Sequence, residues 1–144
     1  MVIALIADET KMELMTQFCI AYCGILSKHE LCTTGLTGKY ISEATGLNIE
    51  TLLSRDGDAL QQITSRVAYD EIDVLLIFHG PDEKPVEKDN KYNLLRMCDV
   101  HNVPTATNIA TAEVLICALE RGDLDWREIV NPRSSYNIKN KAKQ

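Results

Sequence analysis

Thr34-Gly35-Leu36-Thr37-Gly38 is the segment of the sequence best suited to hold an anion. Gly35 and Gly38 let backbone amides turn inward, and Thr37 can cap a following helix while its hydroxyl faces a ligand. Free amides at a helix N-terminus, with two hydroxyls beside them, form a phosphate cradle. The same five residues also satisfy a plain helix cap with a tight turn. Ser54, at the end of the next predicted strand, adds a hydroxyl donor. Asp8 and Lys11 follow the first apolar run and admit two readings. Either they are an N-capping acid and an exposed first-turn lysine, or Asp8 sets the Lys11 ammonium over a phosphate or a developing oxyanion. His79-Gly80-Pro81 and Thr107-Asn108 also follow predicted strands.

The elements that must position these residues alternate. Val2 to Ala7 (VIALIA) is a short continuous apolar run, as in a strand covered on both faces. Leu14, Met15, Phe18, Cys19 and Tyr22 then recur at helical spacing from Lys11 until Gly24 stops the helix. Further strands are expected at Glu30 to Thr33, Asn48 to Leu53, Ile72 to Phe78 and Val103 to Ala106. Helices are expected over Tyr40 to Ala44, from Asp58 through Val67, over Asp89 to Val100, and over Thr107 to Leu119 with a stop near Gly122. This alternation predicts βαβ units: an α/β fold with a doubly wound, mostly parallel five-stranded sheet and helices on both faces. In such sheets ligands bind beyond the carboxyl ends of the strands, where all the segments above lie.

Composition bounds the function classes. The chain has 144 residues, 45% apolar and 25% charged, which suits one globular domain. A formal charge of −6 argues against nucleic-acid or anionic-membrane partners, so local groups must attract any anionic ligand. No apolar run approaches the roughly 20 residues of a bilayer span. Met1 to Asp8 lacks a basic n-region and reads as a buried strand instead of a signal peptide. The five cysteines are then expected as reduced thiols in a cytoplasm. Cys19 and Cys23 share a helical face, yet no Cys or His cluster completes a metal site, so they read as core residues. The domain is expected over residues 1–132, with 133–144 a polar, basic tail that reads as frayed.

Val2 to Pro132 resembles the methylglyoxal synthase family. The resemblance rests on Ile3 to Asp8 with Lys11, Thr33 to Gly38, Ala44 to Asn48, Leu53-Ser54, Gln61-Gln62, Ile72 to Phe78 and Val103 to Ala112, in order along the chain. It implies a fold like the allosteric domain of carbamoyl phosphate synthetase and a homohexameric assembly. The activity it implies is elimination of phosphate from dihydroxyacetone phosphate, giving methylglyoxal, with no cofactor. The family's phosphate site falls on Lys11, Thr34, Thr37 and Ser54, with Gly38 in the same loop. The ligand is then a small phosphorylated metabolite or inorganic phosphate. The basic tail, with Arg133, Lys139 and Lys141, would reach a neighbouring subunit's anion site.

The sequence departs from the family's catalytic pattern. Leu36 replaces a phosphate-loop threonine, and Arg55 replaces a glycine, either adding a guanidinium to the phosphate or blocking the pocket. Leu60 stands where the family has its general base, directly before Gln61-Gln62. A histidine is missing before Asp8, with Ala7 nearest to it. Gly80 replaces an aspartate, and Glu87 and Asn90 replace a His-x-x-Asp pair. Two substitutes are available: Asp58 as base after a two-residue loop shift, and His79 as electrophile. The lyase therefore stands beside an alternative, a catalytically silent phosphometabolite-binding or regulatory module of the same fold. A phosphoacceptor receiver domain is excluded, because the last predicted strand ends in Thr107-Asn108 where a lysine is needed.

Overall fold

The alternation of odd and even residues along two strands divides the molecule into its layers. A computed structural model describes residues 1–52, 58–81 and 84–143. In β1 (Val2–Ala7) and β4 (Val74–Phe78), Ile3, Leu5, Val74, Leu76 and Phe78 face one core, while Ala4, Ile6, Leu75 and Ile77 face another. Both faces are apolar because both are covered. The first is closed by Met15, Phe18 and Cys19 of α1 (Met12–Ala21), Ile41 of α3 (Thr37–Thr45) and Ala112, Ile116 and Leu119 of α6 (Ile109–Arg121). The second is closed by Ile63 and Val67 of α4 (Ala59–Ala68) and by Leu94 and Cys98 of α5 (Pro85–Val100). Each fully buried side chain of this size stabilises the fold by about 1.5–3 kcal/mol. Cys19 is thus a core residue with Cys23 packed at its edge, and burial raises the Cys19 thiol pKa to about 12.

Among the described residues the sheet has five parallel strands in the order β3-β2-β1-β4-β5, with β2 Glu30–Thr34, β3 Ile49–Leu52 and β5 Thr105–Ala106. The chain winds outward from β1 to β3, then returns to lay β4 on the other side of β1. The topological switch point therefore lies between β1 and β4, whose ends are Asp8 and His79-Gly80. The amide of Asp8 carries the ladder one step further, donating to the Phe78 carbonyl at 3.0 Å.

Element ends differ from the expected ones for local reasons. Asp73 stays outside β4 because its carboxylate accepts from the Val2 amide at 2.8 Å. Pro104 has no N–H to donate, and β5 is correspondingly short, although the Pro104 carbonyl still accepts from Leu75. Gly24 does not stop a helix; it lies inside the short α2 (Cys23–Leu26). Helix α5 starts at Pro85, four residues before the expected Asp89, with proline at its first helical position. Gly46 and Gly122 end α3 and α6 in the left-handed conformation, with φ of 75° and 85°.

The C-terminal segment, which reads as frayed in sequence, is helical: α8 (Ser135–Ala142) follows α7 (Trp126–Val130). Ser134 caps α8 and its hydroxyl donates to the Glu128 carbonyl at 2.6 Å. The Asn137 amide donates to the carbonyls of Glu128, Ile129 and Asn131, at the open end of α7. Arg133 pairs with Glu71 at 3.3 Å within its own chain. Asn137→Ala is expected to lower stability by about 1–3 kcal/mol in urea unfolding. Lys139→Ala, on the exposed face, should change it by less than about 0.5 kcal/mol.

Candidate active site

A cavity of about 620 Å³ opens at the C-terminal end of the sheet. It is lined by Asp8, Glu9 and Thr10 after β1, Thr34-Gly35-Leu36 after β2, Ala59-Leu60 at the start of α4, Gly80-Pro81 after β4, and Glu87 and Lys91 of α5. A second cavity, of about 640 Å³, lies at the opposite ends of the strands around Met1, His29 and Asp73. Size does not separate the two, but the switch point of a doubly wound sheet does, and it selects the first.

Asp8 organises this cavity. Its Oδ2 accepts from the Gly80 amide at 2.5 Å, and its Oδ1 lies 2.5 Å from the Lys91 ammonium. Lys91 is only 5% exposed, so the ammonium is taken out of water while the Asp8 carboxylate stays half-buried. Burial pushes the Asp8 carboxyl pKa up, but the hydrogen bonds from Lys91 and Gly80 and the charges of Lys91 and His79 outweigh it. The carboxyl is held below its ordinary value. Gly80 has a packing role here: a Cβ on it would come within 2.6 Å of Thr10 Oγ1 and 3.2 Å of Asp8 Oδ2. An aspartate at this position would displace the carboxylate that now occupies the space.

The partner of Asp8 is therefore Lys91, where the sequence suggested Lys11. Lys11 ends a 3-10 turn over Glu9–Lys11, is half-buried, and is not among the described residues lining the cavity. Lys91 escaped notice because its helix was read from Leu94, Leu95 and Cys98. A lysine three residues before Leu94 shares that apolar face, which is the signal that could have found it.

The Thr34–Gly38 segment divides. Thr34, Gly35 and Leu36 line the cavity, and Gly35 adopts a φ of +61°, which turns the chain into α3. The N-cap is Leu36 and not Thr37; Thr37 is the first helical residue and is 2% exposed. Gly38 sits inside the helix, where an added Cβ would run into Thr51 Oγ1 and Thr33 Cγ2. Its lack of a side chain lets α3 lie close to the sheet.

The remaining candidates lie around this centre. Asp58 is the N-cap position of α4, 3.4 Å through Oδ1 from Gln62 Nε2, with its neighbours Ala59 and Leu60 in the cavity wall. Asp58 itself is not among the described lining residues. His79 lines an adjoining cavity with Lys88, Lys91 and Tyr92. Ser54 and Arg55 lie outside the described residues. Asn90 is half-buried on α5 and is not among the described lining residues either. Asn108 is spent locally, its Oδ1 accepting from Thr111 N at 3.0 Å as the cap of α6.

Fold and site together define a doubly wound parallel α/β domain with a cavity at its switch point that carries Asp8, Glu9, Glu87 and Lys91. Residues 16–107 match the family model of the MGS-like domain. The methylglyoxal synthase of Caldicellulosiruptor saccharolyticus is 53% identical over 139 residues, covering 96% of this chain and 99% of that protein. The methylglyoxal synthase of Oceanobacillus iheyensis is 47% identical over 131 residues, covering 91% and 94%. A crystal structure of methylglyoxal synthase from Elizabethkingia anophelis NUHP1 superposes with a TM-score of 0.72 at 34% identity, covering 80% of this chain and 76% of that one. The chain belongs to the methylglyoxal synthase family.

The lowered Asp8 pKa has a consequence for stability. A carboxyl that titrates lower in the folded chain than its ordinary value of about 3.9 adds stability above that value. The contribution fades as pH falls through the folded pKa. Wild type should exceed Asp8→Asn in urea midpoint at pH 6, and the gap should narrow below pH of about 4. A gap that widens in acid would contradict the assignment.

Proposed function

We propose that this chain eliminates phosphate from dihydroxyacetone phosphate, producing methylglyoxal and inorganic phosphate. The observation that carries the reading is a cavity with charged side chains at the switch point of a chain whose relatives, at up to 53% identity, are methylglyoxal synthases. The phosphate goes to the Thr34–Leu36 amides at the start of α3, with Lys11, Thr37, Ser54 and Arg55 as its further ligands.

The chemistry requires a base at the hydroxymethyl carbon and stabilisation of the oxygen on the central carbon. Removing the carbon-bound proton leaves its electron pair as a carbon–carbon double bond and the charge on that oxygen. The terminal hydroxyl then becomes an aldehyde, the double bond shifts along, and the carbon–phosphate oxygen bond breaks, the phosphate leaving with the pair and the hydroxyl proton. The base's proton is delivered to the methylene carbon that lost the phosphate, which becomes the methyl group and completes methylglyoxal. Leu60 takes no proton, and Asp8 is a poor acceptor because its charge is already bound. Glu87 is the best remaining carboxylate: it lines the cavity one helical turn before Lys91. Asp58 is the second choice, one residue outside the wall. We also read the protein as a cytoplasmic homo-oligomer, a hexamer, a reading supported by the exposed Trp126, Ile129, Val130 and Ile138. A monomer mass in light scattering at micromolar concentration would overturn that assembly.

Purified wild type should form methylglyoxal from dihydroxyacetone phosphate. Glu87→Gln should reduce kcat by about 10²–10⁴-fold with little change in KM. Loss on Asp58→Asn with Glu87→Gln active would move the base to the start of α4. A wild type that binds phosphate without turnover would instead support the silent module.

A further inference from the structure

The reaction concentrates negative charge on one oxygen. From proton removal until the final protonation, that charge stays on the oxygen of the central carbon, through both bond-breaking steps. Whatever meets it must be cationic or a strong donor, and must be fixed before the reaction begins. The cavity is otherwise unfavourable, because Asp8, Glu9 and Glu87 line it. Lys91 is the one Lys or Arg side chain among the described residues that line it.

Several observations favour a working role for that cation. It is nine-tenths buried, in a position where an ammonium is costly to desolvate. Its charge is held in place by Oδ1 of Asp8, while Oδ2 of the same carboxylate is anchored to the Gly80 amide at the end of β4. It shares one face of α5 with Glu87 at i and i+4. The phosphate loop follows β2, and Asp8 follows the adjacent β1, one strand spacing or about 5 Å away. That offset matches the step from the phosphate to the central carbon of a three-carbon ester. His79, the electrophile suggested by sequence, opens on the adjoining cavity with Tyr92 and Lys88.

We propose that Lys91 is the electrophile of this active site, its ammonium receiving the oxygen of the central carbon while Asp8 positions it. The assignment rests on the lyase reading above and assigns a catalytic role to a residue outside the phosphate loop. The Lys91 ammonium keeps its protons throughout and stabilises the charge by hydrogen bonding.

The test is steady-state turnover of dihydroxyacetone phosphate by the full chain, with folding followed by circular dichroism. Lys91→Met should lower kcat by about 10²–10³-fold and leave KM within a few-fold. Because Lys91→Met leaves the half-buried Asp8 carboxylate without its cation, the double variant Asp8→Asn/Lys91→Met serves as the folded control; replacing both charges is often neutral for stability. It should fold and remain as slow as the single variant. Retained kcat in Lys91→Met, a loss confined to KM, or recovered turnover in the double variant would each overturn the assignment while the lyase reading stands. The KM result would make Lys91 a phosphate ligand, and the recovery would make it a mere counter-ion. Absence of turnover in wild type would overturn the lyase reading itself, and this assignment with it.

Discussion

The candidate site depends on a carboxylate held between a backbone amide and a buried ammonium. Asp8 leaves the end of β1 and accepts from Gly80, which leaves the end of β4, and from Lys91, which comes down from α5. Three elements from both sides of the switch point are thereby tied to one side chain. Burying an ammonium costs several kcal/mol unless it is paired and hydrogen-bonded, so removing either partner leaves an expensive charge behind. The requirement reaches into the sequence: Gly80 must lack a side chain for Asp8 and Thr10 to pack as they do.

This arrangement gives physical sense to some of the departures from the family pattern. The absence of an acid at position 80 makes room for the Asp8 carboxylate, and Asp8 in turn pays for a cation at position 91. Leu60 makes the wall beside Ala59 apolar, so in the proposed reaction proton transfer falls to the rim carboxylates. The substitutions are better understood as one linked set than as separate losses. They leave a cation, carboxylates and the Thr34–Leu36 loop around one cavity, drawn from different positions of the chain.

Much of the frame was legible in the residues. Val2 to Ala7 and the apolar run ending at Phe78 declare two central strands because parallel strands are buried on both faces. The glycine stop near Gly122 follows from the left-handed conformation that a side chain resists. The chemistry was harder to see because it depends on tertiary proximity. Nothing in spacing alone joins Asp8 to Lys91, which is 83 residues away. Thr37 and Gly38 look like ligand groups in sequence, since a helix start and a phosphate loop use the same residue types. The packing of α3 on Thr33 and Thr51 accounts for the missing side chain at Gly38, while Thr37 keeps its place among the proposed phosphate ligands. The basic tail misled for a related reason: Asn137 has no apolar pattern to announce it, and its partners are the open carbonyls of α7.

On the proposed assignment, the ammonium that Asp8 positions meets the charge that develops on the substrate. A crystal structure with a phosphorylated hydroxamate, which mimics the enediolate, tests it most directly. The hydroxamate oxygen is expected within hydrogen-bond distance of Lys91 Nζ, with the phosphate against the Thr34–Leu36 amides and the Asp8 contacts preserved. A complex with the phosphate on Lys91, or with the ligand in the cavity at the other end of the sheet, would contradict it.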